Sequence, residues 1–121
     1  MRLLPFAAVC AAAVLFASGC ASAGKAQTCA DATRLVSRTI SDIGAVVNDP
    51  DAMRKKIEDG AADLEDMANK AADTTLRDAL QGLADSLQKL DVDDANAAVD
   101  AAQKVATDGA TYLREVSQAC L

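Results

Sequence analysis

Eighteen acidic side chains, four cysteines, three methionines and no histidine define the chemistry open to this 121-residue chain. Asp91, Asp93, Asp94 and Asn96 form its densest run of oxygen ligands. A calcium loop counted from Asp91 requires oxygens at alternate positions, glycine at the sixth and glutamate at the twelfth. Here Ala95, Asn96 and Ala102 occupy the fifth, sixth and twelfth places, so the acids read as helix caps and dipole partners instead. A ferritin-like metal centre requires Glu-x-x-His pairs, which a histidine-free chain lacks. Asp63, Glu65 and Asp66 surround Leu64 as an ordinary solvated face. Met53 and Met67 share a helix face but lie about 21 Å apart along it, too far to hold one soft metal, and read as core. A serine or cysteine nucleophile lacks its commonest base. Tyr112 and Arg114 are candidates to line a ligand cleft, with Tyr112 read first as a bundle residue whose hydroxyl sits at the rim. Gly60, Gly82 and Gly109 stand alone inside helical patterns, mark close helix approach and form no phosphate loop. The expectation is a non-enzyme with no catalytic, cofactor-binding or metal-binding residues.

The amino-terminal residues carry a different message. Arg2 is followed by an apolar run from Leu3 to Phe16, of export-signal length and short of the roughly 20 residues that span a bilayer. Ala17-Ser18-Gly19-Cys20, three small residues and a thiol, resembles the lipobox of bacterial lipoproteins. The resemblance implies cleavage before Cys20 and acylation of its thiol. It divides the chain into a signal peptide at 1–19, a lipidated flexible tether at 20–28 and a domain at 29–121. The alternative is a plain secretory signal cut after Ala21-Ser22-Ala23. If Cys10 leaves with the signal and lipid consumes Cys20, Cys29 and Cys120 remain. Two thiols left in an oxidising compartment are expected to pair.

Charge narrows the partners. The chain carries −6, or −7 once Arg2 is removed with the signal. Such a surface repels nucleic-acid phosphates and disfavours polybasic membrane docking. Membrane attachment would then come from the acyl chains on Cys20, since two or more chains anchor stably where one is marginal.

What remains is one small alanine-rich domain with Tyr112 as its sole aromatic residue. Leu35, Val36, Thr39, Ile40, Ile43, Val46 and Val47 recur at helical intervals, with Thr28 or Asp31 as cap. Asp49 and Pro50 read as the N-cap and first residue of a second helix, whose inward stripe is Met53, Ile57, Gly60 or Ala61, Leu64, Met67 or Ala68, and Ala71. Leu76, Leu80, Leu83, Leu87 and Leu90 form another stripe, about 160° out of phase with the previous one at Leu64 and Leu80. A break at 72–75, capped by Thr75 with Asp78, removes the conflict. The last helix, capped by Asp91 or Asp93, is expected to turn Ala95, Val99, Ala102, Val105, Ala106, Gly109, Tyr112, Leu113, Val116 and Cys120 inward.

These elements predict an all-α fold, a small antiparallel up-down four-helix bundle. The alternative is a three-helix bundle with one long middle helix. Helix parity favours four, since only an even number returns the end of the last helix to the start of the first, where Cys29 and Cys120 are to meet. The function expected is that of an extracytoplasmic, lipid-anchored module acting through a protein partner of the envelope. A secreted form and a carrier holding an apolar ligand between its helices are the alternatives.

Overall fold

The computed structural model describes residues 19–121 as four α-helices: α1 (Gly19–Ala45), α2 (Pro50–Lys70), α3 (Thr74–Gln88) and α4 (Ala95–Ala119). Residues 1–18 of the expected signal, Cys10 among them, lie outside the described residues.

Local chemistry sets the helix ends. Asp49 caps α2, its Oδ1 accepting from the Ala52 amide at 3.0 Å, and Pro50 occupies the first turn where its missing N–H costs nothing. The break between α2 and α3 needs neither Gly nor Pro. Ala71 turns extended at ψ 122° while remaining buried, and the guanidinium of Arg77 donates to its carbonyl at 2.8 Å. Asp73 caps α3 by accepting from the Leu76 amide at 3.0 Å, so the expected Thr75 cap is corrected to Asp73, the stronger capping type. The cap of α4 is likewise Asp94, accepting from Ala97 at 2.8 Å, and neither Asp91 nor Asp93. Val92 is the reason. Its side chain is buried and its carbonyl accepts from Arg54 at 3.0 Å, which holds 91–93 out of the helix.

The amino-terminal end of α1 departs most from expectation. Residues 20–28, expected as a flexible tether, are helical, and neither Thr28 nor Asp31 is a cap. Ala21, Ala23, Lys25, Ala26 and Gln27 are strong helix formers with only Gly24 against them, and small polar composition concealed this. The Thr28 hydroxyl donates to the Gly24 carbonyl one turn back, at 2.9 Å.

Short connections at 46–49, 71–73 and 89–94 run successive helices antiparallel, and α1 also packs on α4, closing the ring. Val36, Ile43, Met53, Leu64, Leu76, Leu80, Leu83, Leu87 and Val116 are its fully buried large side chains. On α4 the buried stripe is Ala98, Ala101, Val105, Gly109 and Val116. Ala95, Val99 and Ala106, expected inward, are exposed, Val99 by 45%. At 100° per residue Val99 lies about 120° from Val105 and Ala98 only about 20°, so the smaller side chain has the better phase.

The three lone glycines sit at close helix approaches. A Cβ on Gly82 would meet the Tyr112 ring at 2.8 Å, one on Gly109 would press on Ile40, and one on Gly60 would lie 2.7 Å from Thr39 Cγ2. Thr39 is β-branched and buried, so it has little room to yield. Gly60→Ala is therefore expected to destabilise by about 1 kcal/mol, an overpacking cost of roughly 2 less a helix-propensity gain near 1. Adding Thr39→Ser, which removes the offending methyl, should restore the loss in urea titration.

Candidate functional site

Polar side chains from different helices meet at both ends of the bundle. At one end Cys29 of α1 and Cys120 after α4 are joined as a disulfide with Cα atoms 5.7 Å apart. Beside them the start of α1 faces the α2–α3 turn across an open cleft of about 480 Å³, lined by Gly24, Lys25, Thr28, Lys70, Asp73 and Leu76. The Lys25 ammonium reaches the Asp73 carboxylate at 3.5 Å. The hydrogen bond from the Leu76 amide holds the Asp73 carboxyl below its ordinary value against the opposing effect of desolvation, and Lys25 lowers it further. Asp73 thus serves at once as a helix cap and as an ion-pair partner.

The opposite end is acidic. Asp49 and Asp51 open α2, Asp91, Asp93 and Asp94 precede α4, and Arg54 reaches from α2 to the Val92 carbonyl and, at 3.4 Å, to Asp51. Asp91 is pushed above its ordinary value, first by its hydrogen bond with Asp93 and the charge of that neighbour. The sign follows. An Asp91 whose folded pKa exceeds its unfolded one opposes folding when ionised, and that penalty fades as pH falls through the raised value. Asp73, with a depressed folded pKa, adds stability above its unfolded pKa and loses it as pH falls through the folded one. Asp91→Asn is therefore expected to raise the thermal midpoint at pH 7, with the gain vanishing at pH 3. A melting series across that range checks both.

The remaining sequence candidates are dispersed. Asp63, Glu65 and Asp66 are exposed on α2, and Glu65 accepts from Gln88 at 2.6 Å. Met53 is fully buried and Met67 packs half-buried against the core. Tyr112 lies over Gly82 with its hydroxyl 3.4 Å from Ser86, while Arg114 is exposed, so the two do not form a cleft together. Among the described residues no three His, Cys, Asp or Glu side chains group as a metal site.

Sequence reading missed Lys25, Asp73, Arg54 and Arg77. The Lys25–Asp73 pair joins residues far apart in the chain, and Arg54 and Arg77 reach backbone carbonyls, so no local spacing announced these contacts. Arg77 is notable because its Nε is buried without a partner while another guanidinium nitrogen closes α2. Among the described residues the arrangement offers charge contacts and a small cleft.

No curated protein and no solved structure matches the chain. The family described as Domain of unknown function (DUF8711) matches residues 23–121, the domain together with the six residues that precede Cys29. The chain accordingly belongs to the DUF8711 family.

Proposed function

We propose that the protein is an exported, membrane-anchored helical lipoprotein of the bacterial cell envelope, held by acyl chains on Cys20 and working through protein contacts rather than catalysis. The observation that carries this reading is the apolar run Leu3 to Phe16 ending in Ala17-Ser18-Gly19-Cys20 immediately before the domain. An exported location agrees with the Cys29–Cys120 disulfide. No helix among the described residues is long and apolar enough to cross a membrane. The non-enzymatic part rests on the absence of histidine and on the dispersal of Tyr112, Arg114 and the α2 acids.

A carrier of an apolar ligand is less well supported. The 480 Å³ cleft has the volume, but it is an open groove with Lys25, Lys70 and Asp73 at its walls beside Leu76.

Intact mass spectrometry of protein taken from its own membranes tests the reading. The expected mass is that of a chain beginning at an acylated Cys20 and two hydrogen atoms lighter for the disulfide. Cys20→Ser should move the protein to the soluble fraction. A chain beginning at Gly24 without lipid would make it a secreted protein instead.

A further inference from the structure

α4 repeats apolar or small residues at 95, 99, 102, 106, 109 and 113, the four-three spacing of a helix seam, yet the bundle buries only Gly109 of them. Ala95, Val99 and Ala106 are exposed, and Ala102 and Leu113 are half-buried. On α1 Gly44 is exposed within the helix. Its φ is not positive, so it is no left-handed cap, and a Cβ there would meet nothing within 4 Å. Unlike Gly60, Gly82 and Gly109, this poor helix former makes room for no neighbour inside the molecule. Ile40 lies across Gly109, and counting four residues along each antiparallel helix sets Gly44 level with Val105 and beside Ala106. Gly44, Val99, Ala102 and Ala106 thus line one shallow groove on the outside of α1 and α4.

We propose that this groove is a homodimer interface, in which a second copy packs head to tail about a two-fold axis near Ala106. The groove itself is free of charge. At 100° per residue Asp31 and Asp42 lie about 140° and 160° around α1 from Gly44, and Lys104, Asp108 and Glu115 lie about 160°, 160° and 180° around α4 from Ala106. Exposed acids occupy the other sides, Glu58, Asp59 and Asp63 on α2 and Asp78 and Asp85 on α3, so two copies of a chain of net charge −6 meet with least repulsion here.

The borders of the groove set the direction. Asp100 and Arg114 stand on the outer edge of α4, Arg34 stands on that of α1, and Asp49 follows α1. The midpoint of Asp100 and Arg114 falls at Thr107 and that of Arg34 and Asp49 at Ser41 and Asp42, places that the Ile40 contact with Gly109 puts at nearly the same height. A two-fold at that height brings Asp100 of each copy to Arg114 of the other and Arg34 to Asp49, and it relates Arg38 to Asp42 further round α1. Arg114 has no carboxylate partner of its own among the described residues, and Arg34 reaches Asp31 at 3.7 Å. Parallel packing would instead set Arg34 against Arg114. Two helices about 10 Å apart, overlapped for about 30 Å, offer roughly 600 Å² per copy, about 1,200 Å² in all, the lower end of specific interfaces. The axis runs across the groove from α1 to α4, so both Cys20 positions fall on one side of the dimer, as attachment to a single membrane demands.

Sedimentation velocity of the full chain carrying Cys10→Ser and Cys20→Ser, free of acyl chains, is expected to show a monomer–dimer equilibrium in the micromolar range. Ala106→Glu, at an exposed position, should abolish the dimer and leave the melting curve of the dilute protein unchanged. Arg114→Asp should weaken association about tenfold, and adding Asp100→Arg should restore it. With Cys29 and Cys120 already joined, Ala106→Cys in the same background should cross-link to itself under mild oxidation. A chain that is monomeric at every soluble concentration, or a dimer indifferent to Ala106→Glu, overturns the interface. A double variant that stays weak, or mixed Gly44→Cys and Ala106→Cys copies that cross-link to each other in preference to themselves, overturns the head-to-tail arrangement. None of these readouts involves acylation, so the lipid-anchor reading stands or falls by its own test.

Discussion

Replacing Cys29 or Cys120 with serine is expected to cost about 4 kcal/mol, the loop-closure entropy returned to an unfolded chain when a link of this span is lost. The closed loop covers 91 residues, nearly the whole domain. For a domain of this size that loss lowers the melting midpoint by roughly 15–30 °C. Cys29 is also buried, so serine there adds a small desolvation cost that Cys120→Ser, at a half-buried position, avoids. The two single variants and the double should otherwise lose nearly the same amount, because each removes the same covalent link. Urea denaturation of the three, alongside the wild type with and without reductant, is the measurement. A single variant costing under about 1 kcal/mol would show that helix packing alone maintains the fold.

Leu80→Ala is the second large effect, expected near 4 kcal/mol. Leu80 is completely buried on α3, between Leu76 and Leu83 on the same stripe. The surrounding core owes much of its lining to alanine, with Ala61, Ala68, Ala79 and Ala84 buried as well. Alanine has no side-chain torsion with which to fill a void, so the cavity should persist and the cost should lie toward the upper part of the usual range. Leu90→Ala, at a half-buried position on the rim, should cost about a quarter as much. Equal losses at the two positions would mean that the stripe is not packed as described.

The residues that were easiest to read have one strong physical reason each. Asp49 before Pro50 marks a helix start by two independent effects, and the Leu76, Leu80, Leu83 and Leu87 stripe has side chains too large to be anywhere but inside. Helix parity joined to the two cysteines then gave the bundle. Alanine was the obstacle elsewhere. In 20–28 it reads as a small linker residue although it is the strongest helix former, and on α4 the valines point the apolar pattern toward Val99 and away from Ala98 and Ala101. Capping was ambiguous wherever acids crowd. Among Asp91, Asp93 and Asp94 the choice was made by burial of Val92 and its bond to Arg54, a contact between residues 38 apart. The cleft of Lys25, Lys70 and Asp73 was illegible for the same reason, since its walls come from separate helices.

The covalent link between Cys29 and Cys120 encloses all three interhelical connections. A peptide bond cut at 46–49, 71–73 or 89–94 would therefore open a ring and release no fragment. Such a nicked molecule keeps both pieces at full local concentration, and only reduction of the sulfurs would let the parts diffuse away.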